Sequence, residues 1–124
     1  MKNKDRVIIS KILEYCDEIE ETHRFFSNDR ALFCDKKRGF LYRNAVNMPI
    51  LQIGELAKNL TEDFRKNHAD IPWKSVTGIR DVFAHHYGSI DFEQTWKTST
   101  INIASLKVYL LESWNEHNDG DEQE

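Results

Sequence analysis

Apolar residues return every three or four positions along four stretches of this chain, a spacing that marks amphipathic helices. In the first stretch Ile8, Ile12, Cys16, Ile19, His23 and Phe26 form one stripe. In the second, Tyr42, Val46, Ile53, Leu56, Leu60 and Phe64 share a face, interrupted by Pro49. Proline removes a backbone donor and crowds the carbonyl of Ala45, so a kink is expected there. The third stretch is short and turns Trp73, Val76, Ile79 and Phe83 inward, with Gly88 at or near its end. Asp70-Ile71-Pro72-Trp73 reads as its start, the proline falling in the first turn. The fourth aligns Phe92, Trp96, Ile103, Leu106, Leu110 and Trp114. Asp91-Phe92-Glu93-Gln94 opens it and resembles a capping box in which aspartate replaces the usual hydroxyl residue. The polar interval from Ser27 to Arg38 predicts a turn. No run of alternating β-branched residues suggests a strand, and no internal repeat is present. The economical architecture is all-α: a single-domain, antiparallel four-helix-type bundle over residues 1–117, followed by an acidic, disordered tail over 118–124.

A chain of 124 residues can bury one hydrophobic core. Its 40% hydrophobic and 31% charged residues fit a globular protein rather than a disordered one. The net charge of -4 argues against indiscriminate nucleic-acid binding, though not against a local basic cleft. No apolar run approaches the ~20 residues needed to span a bilayer, so no membrane association is expected. The first residues lack a signal-peptide core. Cys16 and Cys34 show neither metal nor redox spacing and read as reduced thiols. Together these features predict a cytoplasmic protein.

The segment Arg80-Asp81-Val82-Phe83-Ala84-His85-His86-Tyr87 concentrates the chemistry. Arginine holds its charge at every accessible pH and pairs with phosphate. Histidine exchanges protons near neutrality. On a helix Asp81 and His85, four apart, share a face, so Asp81 can orient the imidazole. Arg80 and His85, five apart, lie about 140° apart around the axis. Their convergence requires a wrapped arginine, a distorted helix end or a second chain, and the last makes a homodimer attractive. Such a pair suits RNA cleavage, with His85 moving the proton of a ribose 2′-hydroxyl and Arg80 neutralising the phosphate. Tyr87 can donate a hydrogen bond or stack on a base. The bland alternative is that Arg80 and Asp81 form surface ion pairs while His85 and His86 favour a helix C-terminus.

The spacing Arg80-x4-His85-x-Tyr87, with Asp81 after the arginine, resembles the motif of the HepT-like branch of the HEPN superfamily. Ile53-Gly54-Glu55, Ile71-Pro72-Trp73, and Ile90-Asp91 followed by Trp96 are similar to flanking elements of that branch. The resemblance covers roughly residues 5 to 115. It implies an all-helical homodimer and a metal-independent endoribonuclease that needs no cofactor. It further implies that the enzyme is the toxin of a toxin–antitoxin pair acting on RNA, with no DNA substrate. Its partner would be a minimal nucleotidyltransferase antitoxin that transfers AMP to the motif tyrosine, here Tyr87. A nucleotide there would place bulk and negative charge beside Arg80 and His85. The alternative within the same fold is a non-catalytic module that binds a nucleotide or a partner. The motif match assigns catalysis to Arg80 and His85, with His86, Asp81 and Tyr87 in support.

Other residues divide between functional and structural readings. Glu55 is positioned to orient Arg80 across the bundle, or to make an ordinary interhelical polar contact. Arg43 and Asn44, with Lys36, Lys37 and Arg38, offer a basic stretch that guides RNA or a solvated helix start. His85, His86 and Asp91 do not complete a four-ligand metal site, and no metal is expected. Trp73, Trp96 and Trp114 fall on apolar faces and read as core.

Overall fold

The computed structural model describes residues 1–86 and 91–120; for Arg80, residues 82–86 and residues 117–120 only the helical backbone is described. The described residues are helical, with turns and no strand. Helix α1 spans Asn3–Phe25 and α2 spans Arg30–Phe33. Then follow α3 (Phe40–Ala57), α4 (Glu62–Asn67), α5 (Trp73–His86) and α6 (Phe92–Lys97). A π-helical turn, Thr98–Asn102, joins α6 to α7 (Ile103–Gly120), making one long rod. The backbone of α7 is thus described through the first residues of the expected tail, while 121–124 lie outside the described residues.

Cross-links between rod ends show how the four long elements alternate in direction. Near the start of α1, Asp5 accepts hydrogen bonds from the Thr61 amide (2.8 Å) and hydroxyl (2.6 Å), just past the end of α3. Near the end of α1, His23 meets Tyr42 at the start of α3. Glu20 and Asp17 both pair with Lys107 at the start of α7. At the end of α7, Ser113 meets His68, which precedes α5. The expected antiparallel four-helix bundle is the one observed.

The core is the inner face of every rod. Ile9, Ile12, Cys16 and Ile19 of α1 pack with Tyr42, Val46, Ile50 and Ile53 of α3, and Leu110 closes the layer from α7. Trp73 is buried, and Trp96 and Trp114 pack against the core, as their apolar register predicts. Helix α3 continues through Pro49, which is itself buried.

Two breaks differ from the periodicity. Leu60 and Phe64 do not continue α3; the helix stops at Ala57 and α4 begins at Glu62. Thr61 caps α4, its hydroxyl accepting from the Phe64 amide at 3.1 Å, and Asp5 holds Thr61 from across the bundle. Both Leu60 and Phe64 still reach the core, which is why their spacing mimicked one helix. The polar interval after α1 contains the expected turn, with Ser27 (φ 58°) and Asn28 (φ 52°) left-handed. It also contains α2, capped by Asp29, which buries Phe33 completely.

Arg43 proves structural rather than a guide for RNA. It is buried, and donates to the carbonyls of Phe33 (2.7 Å), Asp35 (2.7 Å) and Lys36 (3.3 Å). Its guanidinium stacks over the Phe92 ring at 3.9 Å. Gly39 makes room for this arrangement: a methyl group there would collide with the Leu32 and Phe33 carbonyls and the Arg43 guanidinium.

Candidate functional site

Helix α5 carries the motif. Its first turn closes on the Pro72 carbonyl, which accepts from the amides of Ser75 and Val76 at 3.0 and 3.1 Å. The Trp73 indole donates to the His68 carbonyl at 3.0 Å and anchors the start. From there the backbone is helical through Arg80, Asp81, His85 and His86. The positions of Arg80 and His85 therefore fall about 140° apart around the axis. The side chains of Arg80, His85 and His86, and the whole of Tyr87, lie outside the described residues. The expected end of the helix at Gly88 lies there too.

Asp81 is exposed, and its Oδ1 lies 3.8 Å from Lys58 Nζ at the end of α3. The side chain of His85, its expected partner, lies outside the described residues, and Lys58 is a contact that helical spacing did not reveal. Glu55 stands one turn before Lys58 on α3, half-buried, and α3 packs along α5. Among the described residues no group of three His, Cys, Asp or Glu forms a potential metal site. The side chains of His85 and His86, of the trio considered above, are not among those described.

At the end of the bundle where α1 meets α3, a second polar centre is buried. His23 Nδ1 lies 2.5 Å from the Tyr42 hydroxyl, and Nε2 lies 2.9 Å from the Ser99 hydroxyl. Ser99 donates to the Trp96 carbonyl at 3.0 Å, so it accepts from Nε2–H. Nδ1 then accepts from Tyr42, and the imidazole is neutral. Burial lowers the His23 pKa below 6.5, consistent with that state. With Nε2 protonated, His23 cannot act as a base toward Ser99. The trio is a structural clasp, with the rings of Phe33 and Trp96 against its imidazole.

The π turn follows from the run Thr98-Ser99-Thr100. Hydroxyl side chains on a helix bond back to carbonyls one turn earlier and loosen the ladder. Thr98 bonds the Gln94 carbonyl at 3.0 Å, and Ser99 and Thr100 both bond that of Trp96, at 3.0 and 2.7 Å. At the start of α6 the expected cap is present: Asp91 accepts from the Glu93 and Gln94 amides. Glu93 pairs with Arg30, tying α6 to α2.

An all-helical bundle with an Arg–His segment on one of its long helices defines a class of candidate phosphodiester-cleaving domains, and comparison narrows the class. The family model described as "Ribonuclease HepT-like" matches residues 12–112, and the chain belongs to that family. It is 36% identical over 107 residues to a Thermococcus cleftensis protein named "Probable ribonuclease HepT", covering 86% of this chain and 93% of that protein. A Methanocaldococcus jannaschii protein named "Putative RNase MJ0127" is 36% identical over 100 residues, with 77% of this chain and 76% of that protein covered. A Caldanaerobacter subterraneus protein named "Putative RNase TTE0752" is 30% identical over 87 residues, with 63% and 78% covered. No solved structure matches.

Proposed function

We propose that this chain is a metal-independent endoribonuclease and the toxin of a HEPN/nucleotidyltransferase toxin–antitoxin pair, working in the cytoplasm as a homodimer. The observation that carries the reading is the Arg80-x4-His85-x-Tyr87 sequence motif, with Arg80 and His85 on α5, in a chain of the HepT-like ribonuclease family. His85 takes the proton from a ribose 2′-hydroxyl. The 2′-oxygen forms a bond to the adjacent phosphorus, and the bond to the 5′-oxygen breaks. The leaving oxygen takes a proton from the imidazolium, giving a cyclic phosphate and a free 5′-hydroxyl. Arg80 neutralises the charge that develops on the phosphoryl oxygens. Asp81, Glu55 and His86 support the pair by orientation and local charge.

Control falls on Tyr87. Its phenol oxygen attacks the α-phosphorus of ATP on the antitoxin, pyrophosphate leaves and the phenol proton is released. The resulting AMP occludes the phosphate site and repels RNA. The separation of Arg80 and His85 around α5 supports the homodimer, since two α5 helices facing each other can supply one cation and one imidazole to each phosphate.

The test is cleavage of a tRNA and messenger-RNA mixture in excess chelator by wild type, Arg80→Ala and His85→Ala. Wild-type cleavage lost in both variants supports the reading. Saturable nucleotide binding without cleavage supports the non-catalytic module instead. If wild type is inert, an intact mass raised by one AMP identifies an enzyme already blocked at Tyr87.

A further inference from the structure

A cavity of about 490 Å³ opens between the first half of α5 and the rod of α6, the π turn and α7. Its size falls within the roughly 300–1,000 Å³ usual for small-molecule sites. Ile71, Val76 and Ile79 wall one side, and Ile103 and Leu106 the other. Ser75, Gln94, Asn102 and Ser105 line its polar part. None of these four side chains has a hydrogen-bond partner among the described residues. The Thr98 hydroxyl is engaged with the Gln94 carbonyl, and the Tyr109 hydroxyl donates to Asp70 at 3.5 Å. Asp70 is the one charged residue among those lining the cavity, and it is acidic.

These features select an occupant. An acidic lining without a cation disfavours a phosphate. Apolar walls on two sides suit the faces of a flat ring. Two carboxamides, each a donor and an acceptor, suit the edge of a nucleobase, which presents both. Sequence-specific RNA recognition relies on such unstacked bases held between side chains and bonded along their edges. The location fits as well. Val76 in the wall precedes Arg80 by four residues, one turn or about 6 Å along the helix. The π turn helps, since it sets Asn102 into the same cavity as Gln94 and Thr98, and such turns recur at functional sites.

We propose that this cavity seats one nucleobase of the RNA strand beside the phosphate held at Arg80, with Gln94 and Asn102 reading its edge. The inference rests on the ribonuclease reading above and adds to it a determinant of cleavage-site choice. Ser75 and Ser105 supply further donors to the base or its ribose, and Val76 and Leu106 cover its faces.

The experiment has two arms on the full chain. In the first, the four uncharged nucleosides are titrated separately and amide resonances followed. Saturable shifts are expected around Ser75, Asn102 and Ser105, with one nucleoside preferred. They should weaken about three- to tenfold in Asn102→Ala and Gln94→Ala, the loss of one hydrogen bond each. They should vanish in Ser105→Trp, which fills the cavity from an exposed position, with circular dichroism confirming that the variant is folded. In the second arm, cleavage of a randomised RNA pool is mapped by sequencing. Wild type should favour one base next to the cut, and Asn102→Ala should flatten that preference by a similar factor. A preference unchanged in both amide variants overturns the proposal and leaves the ribonuclease reading standing. Absence of cleavage by wild type whose intact mass shows no added AMP removes the ribonuclease reading, and the nucleoside arm then decides the cavity alone. No saturable shifts, or shifts that survive Ser105→Trp, overturn it. Shifts at the cavity that depend on protein concentration without nucleoside assign it to a second copy of this chain, which also overturns it.

Discussion

The Tyr42 hydroxyl and His23 Nδ1, 2.5 Å apart, join the start of α3 to the end of α1 inside the core. Burial of the pair favours the neutral imidazole, and it makes stability depend on acidity. Burial lowers the His23 pKa in the folded state below 6.5, so the unfolded chain binds the proton more readily. Stability contributed by the neutral form is intact above the unfolded value and declines as pH falls through it toward the folded pKa. Urea unfolding of wild type should show this fall below about pH 6.5. His23→Gln should lose that part of the slope, and an identical slope in the variant would falsify the assignment.

Arg43 should be among the costliest side chains to remove. Arg43→Ala leaves the carbonyls of Phe33, Asp35 and Lys36 without their donor, a loss of about 2–4 kcal/mol. Arg43→Lys should recover only part of it, because an ammonium lacks the planar fork and the stacking face presented to Phe92. Gly39→Ala strikes the same place from the other side and should cost about 1–3 kcal/mol through overpacking. Thermal unfolding of the three variants measures the order; a wild-type midpoint in either alanine variant would contradict this account.

Asp5 is expected to hold two helices at once. Its carboxylate receives the Thr61 amide and hydroxyl, and Thr61 in turn caps α4. Asp5→Ala should destabilise by about 1–3 kcal/mol. Amide exchange should quicken first in α4 rather than uniformly, and a uniform change would argue against a local cap.

Cys16 should resist thiol reagents in the native state. Burial, then the neighbouring Asp17 carboxylate, pushes its pKa up to about 12, and the side chain is wholly inaccessible. At pH 8 its thiolate fraction is on the order of 10⁻⁴. Cys34, half-exposed, should react first. Labelling followed by peptide mass analysis reports the order, and equal rates at the two sites would show that α1 opens on the labelling timescale.

For the motif, cleavage should change with pH across the imidazole range. His85→Ala should abolish the activity, and His86→Ala should retain most of it. The opposite result for the two adjacent histidines would move the catalytic role to His86.

Much of this fold was legible as spacing. The stripes of Ile8 to His23 and of Ile103 to Leu110 face the core as their periodicity predicts, and Asp91 caps α6 as its motif suggests. The break at Thr61 was less visible, because Leu60 and Phe64 remain apolar and inward on both sides of it. Phe33 was hidden in a polar interval, and a single buried aromatic on a four-residue helix carries no period. Arg43 read as solvated because a charged residue gives no sign in sequence that carbonyls await it. At the site, the motif was legible as chemistry. The Lys58–Asp81 pairing and the cavity lining of Gln94, Asn102 and Ser105 were not, because they depend on how separate helices meet.

The π turn at Thr98–Asn102 has a consequence for how relatives of this chain are aligned. A wider turn accommodates one residue more than a regular helix, so it works as a slip joint between the rotational phase of α6 and that of α7. Losing one residue within it would restore an ordinary ladder without displacing Ile103, Leu106 and Leu110 from the core. Single-residue gaps among relatives should therefore collect between Lys97 and Ile103, and chains carrying the gap should have lost the Thr98-Ser99-Thr100 hydroxyl run.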